Sequence, residues 1–148
     1  MELRSVPFGE AQELTAAMVA ELNERYGEDG SASPAEGADF LPPYGVFLVV
    51  TVDGQDVACG GLRLLEPGIG EVKRMYAAPE VRGGGLARRV LRALLEHAGS
   101  VGLREVWLET GTLQPEAIAL YESEGFAPIP RYGYFKDEPL SLCYARRL

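Results

Sequence analysis

Apolar positions recur along this chain with two different periods, and the changes of period mark its elements. Within residues 9–26, Leu14, Met18, Leu22 and Tyr26 fall on one stripe, with Glu10, Glu13, Glu21 and Glu24 away from it. That spacing predicts an amphipathic helix. Leu86, Ala87, Val90, Leu91, Leu94, Leu95 and Ala98 form a second, broader stripe opposite Arg88, Arg89, Arg92 and Glu96, and Gly99 or Gly102 ends it. A third helix opens on Pro115, where a missing N–H costs nothing, and closes at Gly125. Short β-rich runs fill the intervals. Residues 3–6 predict an edge strand. Runs 46–52 and 57–65 flank Asp53-Gly54, a hairpin signal. After the Pro67-Gly68 turn come strands over 69–77, 103–110, 126–129 and 140–146. The order is β-α-β-β-β-α-β-α-β-β. Consecutive strands favour antiparallel pairing and strand–helix–strand units favour parallel neighbours, so the expected α/β (α+β) fold is a mixed sheet with helices on both faces.

The long stretch 27–43, rich in Gly, Ser, Ala and Pro, reads as a binding loop or a disordered segment. Tyr26, Phe40 and Tyr44 are its candidates for lining a substrate pocket; pinning the loop to the core is the alternative reading.

Composition narrows the function classes. A chain of 148 residues with 47% hydrophobic and 24% charged residues is expected to form one globular domain, 1–148. A net charge of −8 argues against general nucleic-acid binding. The longest apolar run, 46–50, is too short to span a bilayer, and the first residues lack the features of a signal peptide, so a cytoplasmic location is expected. Cys59 and Cys143 lie in strand-like runs and read as buried thiols. No second Cys or His stands at metal-ligand spacing, so no metal is expected. The single His97 reads as a surface residue near a helix end.

Charge is unevenly spread. Over 73–92, Lys73, Arg74, Arg82, Arg88, Arg89 and Arg92 are opposed by Glu80 alone, whereas residues 1–40 are strongly acidic. The basic stretch contains Arg82-Gly83-Gly84-Gly85-Leu86-Ala87, between a predicted strand and a predicted helix. Glycines there allow close backbone approach, and a helix start adds unpaired N–H donors and a positive dipole end. This is a cradle for phosphate or pyrophosphate, or, on the bland reading, a flexible turn.

In that position the glycine loop resembles the signature of the GNAT superfamily of acetyl-CoA-dependent N-acetyltransferases: Arg or Gln, two residues, Gly, one residue, then Gly or Ala. Arg82, Gly85 and Ala87 meet it. The preceding Met75-Tyr76-Ala77-Ala78-Pro79-Glu80-Val81, and Pro115-Glu116-Ala117-Ile118-Ala119-Leu120-Tyr121 closing with Gly125-Phe126, are similar to further parts of the family pattern. The resemblance implies a mostly antiparallel sheet with a V-shaped splay between central strands, opened by a β-bulge. It implies that backbone amides of Gly83, Gly84, Gly85 and Ala87 bind the pyrophosphate of the co-substrate acetyl-CoA, with Arg82 flanking it and Arg88 reaching its phosphates. It also implies that the backbone of Met75 and Ala77 pairs with the pantetheine arm. Where the family often has Asn before the tyrosine-bearing helix, this chain has Thr112 or Gln114.

Acetyl transfer to an amine needs a base, an oxyanion donor and an acid. The resemblance implies Tyr121 as the acid and Glu71 as the base, acting directly or through water. Glu109 is the reserve base or a contact to the substrate amine. Tyr132 and Tyr134, in a segment where the family builds substrate pockets, are further candidates for the acceptor site. The expected activity is direct attack by a primary amine of a small molecule or peptide, in a ternary complex. A homodimer is a possible assembly, and no membrane partner is expected. A catalytically silent acyl-CoA-binding module is the competing reading, and thiol release with a panel of amines separates the two. A nucleotide site is disfavoured, because no Gly-Lys-Ser/Thr follows the loop.

Overall fold

A computed structural model describes residues 1–27 and 33–148, so residues 28–32 of the expected loop lie outside the described residues. Ten main elements follow one another: β1 (Glu2–Ser5), α1 (Gln12–Tyr26), β2 (Val46–Val52), β3 (Gln55–Glu66), β4 (Ile69–Ala77), α2 (Leu86–Ser100), β5 (Glu105–Gly111), α3 (Pro115–Ser123), β6 (Ala127–Ile129) and β7 (Ser141–Arg147). The first turn of the expected 9–26 helix is instead a 3-10 turn, Phe8–Ala11, that leads into α1. The strands form one sheet in the order β1-β2-β3-β4-β5-β7-β6. Among the described strands only the β4–β5 pair is parallel, and α2 is the crossover between its two strands.

Alternation along β2 separates two cores. Val50 belongs to one cluster with Val90, Leu91, Leu94 and Ala98 of α2 and Tyr121 of α3, whereas Phe47 and Val49 belong to another with Ala11 and Leu14, at the entry to α1. Helices therefore cover both faces, as the binary pattern requires. Adjacent glycines in β3 let both layers close on the strand. A Cβ at Gly60 would lie 2.9 Å from Val90, and one at Gly61 would strike the rings of Phe40 and Phe47. The α2 stripe is fully buried at Leu94. Leu94→Ala is expected to destabilise the fold by about 2–5 kcal/mol, the range for a leucine deleted from a packed core. Urea denaturation should show a lower midpoint at unchanged slope. Among the described residues no helix is long and apolar enough to cross a membrane.

Candidate active site

The centre of the sheet is where its pairing fails. β4 and β5 pair only from Ile69↔Glu105 to Val72↔Leu108, yet β4 continues to Ala77 and β5 to Gly111. The strands part beyond Val72. The cause lies on the other side of β4. Cys59 pairs with Tyr76 and Gly61 with Lys73, so β4 carries one more residue than β3 across this interval. The extra residue is accommodated at Arg74, which has φ +62° in the middle of a strand. A non-glycine residue in the left-handed region is uncommon, and bulges of this kind re-aim side chains. Here Lys73 and Arg74, consecutive in sequence, turn to the same residue: the Lys73 ammonium donates to Ser33 Oγ and Arg74 donates to the Ser33 carbonyl at 2.7 Å.

The splay opens a cavity of about 380 Å³. Met18, Leu22 and Tyr26 of α1 form one wall, and the β4 bulge and the β5 end form the floor. Gln114, Tyr121, Phe135, Glu138, Leu140 and Ser141 complete it. A smaller cavity of about 240 Å³ shares Ser33, Glu71, Lys73, Glu109 and Phe135 and continues past Arg63, Tyr132 and Tyr134. Tyr26 seals one end: its hydroxyl accepts from the Leu113 N–H at 3.0 Å and rests against Gly111, where a Cβ would strike it.

Glu71, Glu109 and Tyr121 all line the larger cavity, in different states. Glu71 is 6% exposed and committed to partners: Arg63 Nε donates to one carboxylate oxygen at 2.7 Å and the Tyr132 hydroxyl to the other at 2.6 Å. Among the described residues Glu109 accepts a single hydrogen bond, from Ser141 Oγ at 2.9 Å. Burial pushes its carboxyl up to about 7, against the opposing influence of Ser141 and Lys73. The Tyr121 ring packs edge-on to Phe126 at 5.9 Å. Its hydroxyl has no hydrogen-bond partner within the protein among the described residues. Burial, and then the Glu109 charge, raise its pKa above the ordinary phenol value, so the hydroxyl holds its proton at neutral pH.

The glycine loop sits where β4 delivers the chain to α2. Gly83 and Gly85 have φ of +88° and +81°, and Gly85 caps α2. The Arg89 N–H bonds back to Gly85, so the amides of Leu86, Ala87 and Arg88 precede the first intrahelical bond. The Gly84 N–H turns back to the Val81 carbonyl at 3.3 Å, unlike those of its neighbours. Arg82 donates to the Ala77 carbonyl, pairs with Glu21 of α1 at 2.7 Å and lies over the Tyr76 ring. Arg88 differs from expectation. It binds Glu124 at 2.6 Å and Ser123, and Arg92 joins the same carboxylate, which ties α2 to the end of α3.

Several pocket candidates lie elsewhere. Phe40 is buried in an aromatic cluster with Phe8 and Phe47, so it anchors its loop to the core and does not line either cavity. Tyr44 lies at the far end of α2, where its carbonyl meets His97 Nε2 at 3.0 Å. Tyr132 edges against Trp107 and serves the smaller cavity through Glu71, and Tyr134, 69% exposed, stands at its rim. Both cysteines are buried free thiols, and burial pushes Cys59 up to about 12, far from a reactive thiolate. Lys73 and Arg74 are among the cavity residues not expected from the sequence. Their basic charge was visible, but it pointed to phosphate, and only the bulge reveals that they face the cleft.

A parallel pair splayed by a bulge, followed by a glycine loop on a helix start, matches an established pattern. The family model described as Acetyltransferase (GNAT) family matches residues 12–126. The chain belongs to this family. IAA acetyltransferase of Azospirillum brasilense is 37% identical over 138 residues, covering 88% of each chain. A solved structure from Klebsiella pneumoniae superposes with TM-score 0.80 at 28% identity, covering 99% of this chain and 97% of that one. A GNAT family acetyltransferase from Elizabethkingia anophelis, solved with acetyl-CoA bound, shares the fold with TM-score 0.71 at 15% identity, covering 99% of this chain and 97% of that one. This GNAT chain is thus an acyltransferase, and its family uses acetyl-CoA.

Proposed function

We propose that this GNAT chain transfers the acetyl group of acetyl-CoA to a primary amine by direct attack in a ternary complex, with Glu109 as base and Tyr121 as acid. One observation carries the reading: Glu109 and Tyr121 share a single cavity at the point where β4 and β5 separate. The glycine loop suits the pyrophosphate, because the positive φ of Gly83 and Gly85 and the unbonded first-turn amides of α2 form an anion cradle. Past Val72 the β4 edge toward β5 has no strand partner, which leaves room for an extended pantetheine arm beside Met75.

The acceptor enters from the smaller cavity. Glu109 accepts a proton from the ammonium, and the free amine attacks the thioester carbonyl. As the carbon–sulfur bond breaks, Tyr121 gives its proton to the departing sulfur and regains one from the nitrogen of the tetrahedral intermediate, leaving an amide and a thiol, and Glu109 then releases its proton to solvent. Glu71, expected as the base, holds Arg63 and Tyr132 in place instead, since both of its oxygens already accept short hydrogen bonds.

Thiol release from acetyl-CoA, measured with and without a panel of amines, tests the proposal. Amine-dependent release supports it, whereas acetyl-CoA binding without release under any amine identifies a silent binding module. The cradle has its own test. Gly85→Ala forces a Cβ into the left-handed region, at a cost of about 1 kcal/mol; the free loop relaxes out of that turn and must return to it to bind, so coenzyme A affinity should fall about fivefold by titration calorimetry. Unchanged affinity would place the pyrophosphate elsewhere.

A further inference from the structure

The cleft holds more positive charge than the transfer chemistry uses. Arg63 is matched by Glu71 at 2.7 Å and has Asp39 at 3.8 Å. Lys73 is different. Its side chain is 8% exposed, it lines both cavities, and its nearest carboxylate oxygen, on Glu71, is 3.9 Å away and already accepts from Arg63. Its hydrogen-bond partner is a neutral hydroxyl, Ser33 Oγ. Arg74, beside it, likewise donates to a neutral oxygen, the Ser33 carbonyl. Among the described residues, these two cations at the floor of the cleft donate their hydrogen bonds to uncharged oxygens, and the Lys73–Glu71 ion pair is long and shared with Arg63. Desolvation accordingly lowers the pKa of both Lys73 and Arg74, as expected for cations short of counter-charge. Each has donors to spare: an ammonium has three and a guanidinium five. Glu109 lines both cavities with Lys73 and does not supply the missing charge reliably, because its carboxyl is half protonated near neutrality.

We propose that the acceptor is a small amino carboxylate, whose carboxylate binds Lys73 and Arg74 while its amine, a few atoms away, faces Glu109. The proposal rests on the acetyl-transfer reading and names the substrate class for that site. The chain as a whole is anionic, at −8, and Glu71, Glu109 and Glu138 also line the cleft, but among the described residues Lys73 and Arg74 donate hydrogen bonds to neutral oxygens, which leaves donors for a carboxylate. Tyr132, Tyr134 and Phe135, around the smaller cavity, offer an apolar and aromatic wall to the rest of such a molecule.

The experiment uses the full chain and matched triplets: each standard amino acid, its carboxamide and its decarboxylated amine. Binding is measured by titration calorimetry in the presence of coenzyme A, and transfer by thiol release above pH 8, where Glu109 is ionised. At least one amino acid should bind, and react in kcat/KM, about tenfold better than its amide and amine, the scale of one hydrogen bond to a charged group. Lys73→Met should collapse that preference to about threefold or less while the decarboxylated amine loses little. Amides or plain amines that match the acids throughout would overturn the proposal, and so would a preference that survives in Lys73→Met. Carboxylate-dependent binding with no acetylation of any amine would keep this anion site and overturn the transfer reading. Acetylation indifferent to the carboxylate would do the reverse.

Discussion

Glu109→Gln should lower kcat/KM at pH 8 by about 10²-fold or more, the lower end of what a positioned general base contributes. The wild-type rate should rise with pH as the carboxyl, held at about 7, loses its proton, and that acid limb should vanish in the variant. Stability should move the opposite way. The folded carboxyl is raised above its ordinary 4.5, so between these values the native state keeps a proton that the unfolded chain has released. Native stability then falls as pH rises from 4.5 through 7, because ionisation leaves a charge in a partly desolvated site. The glutamine variant is neutral at every pH, keeps the shape, and still accepts from Ser141. It should melt above the wild type beyond pH 7 and lose that advantage in mild acid, as followed by circular dichroism. A variant that is less active yet more stable separates a catalytic carboxylate from a structural one. An unchanged rate, or an acid limb that persists, would remove Glu109 from the mechanism.

Tyr121→Phe should lower kcat by about 10²-fold or more with acetyl-CoA affinity little altered, because an acid acts on the departing sulfur and not on binding. A simple thiol has a pKa near 8.5, so the thiolate leaves with difficulty unless protonated as it departs. The raised pKa of this phenol keeps the proton available across the neutral range. The substitution deletes one oxygen that has no protein partner and retains the ring against Phe126, so the melting temperature should barely change. A less demanding leaving group supplies the control: with an acetyl thioester of an acidic thiol the defect should shrink. Full turnover in Tyr121→Phe would assign the residue to packing alone.

The elements of this fold were legible because local pattern and tertiary packing agree. The α2 stripe of Val90, Leu91, Leu94 and Ala98 could bury itself only on a sheet, and Asp53-Gly54 could only reverse the chain. Tyr121, Glu71 and Glu109 were legible as residues of one site, through the family pattern. Which of the two carboxylates has both oxygens engaged was not. Whether a carboxylate is free or committed depends on partners far away in sequence: Tyr132 lies 61 residues from Glu71, and Ser141 lies 32 from Glu109. The same holds for Arg88, whose partner Glu124 is 36 residues away. Phe40 misled for a different reason. An aromatic residue in a polar loop suggests a pocket wall, and only the missing side chain of Gly61 shows that there is a hole in the core for it to fill.

The bulge at Arg74 has a consequence of another kind. The cleft exists because β4 spends one more residue than β3 between two shared pairs, Cys59↔Tyr76 and Gly61↔Lys73. No particular side chain encodes this, and the residue that takes the left-handed turn is not even a glycine. What is inherited is a length. Substitutions along this strand change what the cleft recognises, whereas a one-residue deletion would restore alternation and let the sheet zip shut. Specificity and the existence of the site are therefore written in two separate alphabets, residue identity and residue count, and the first can drift freely only while the second is held.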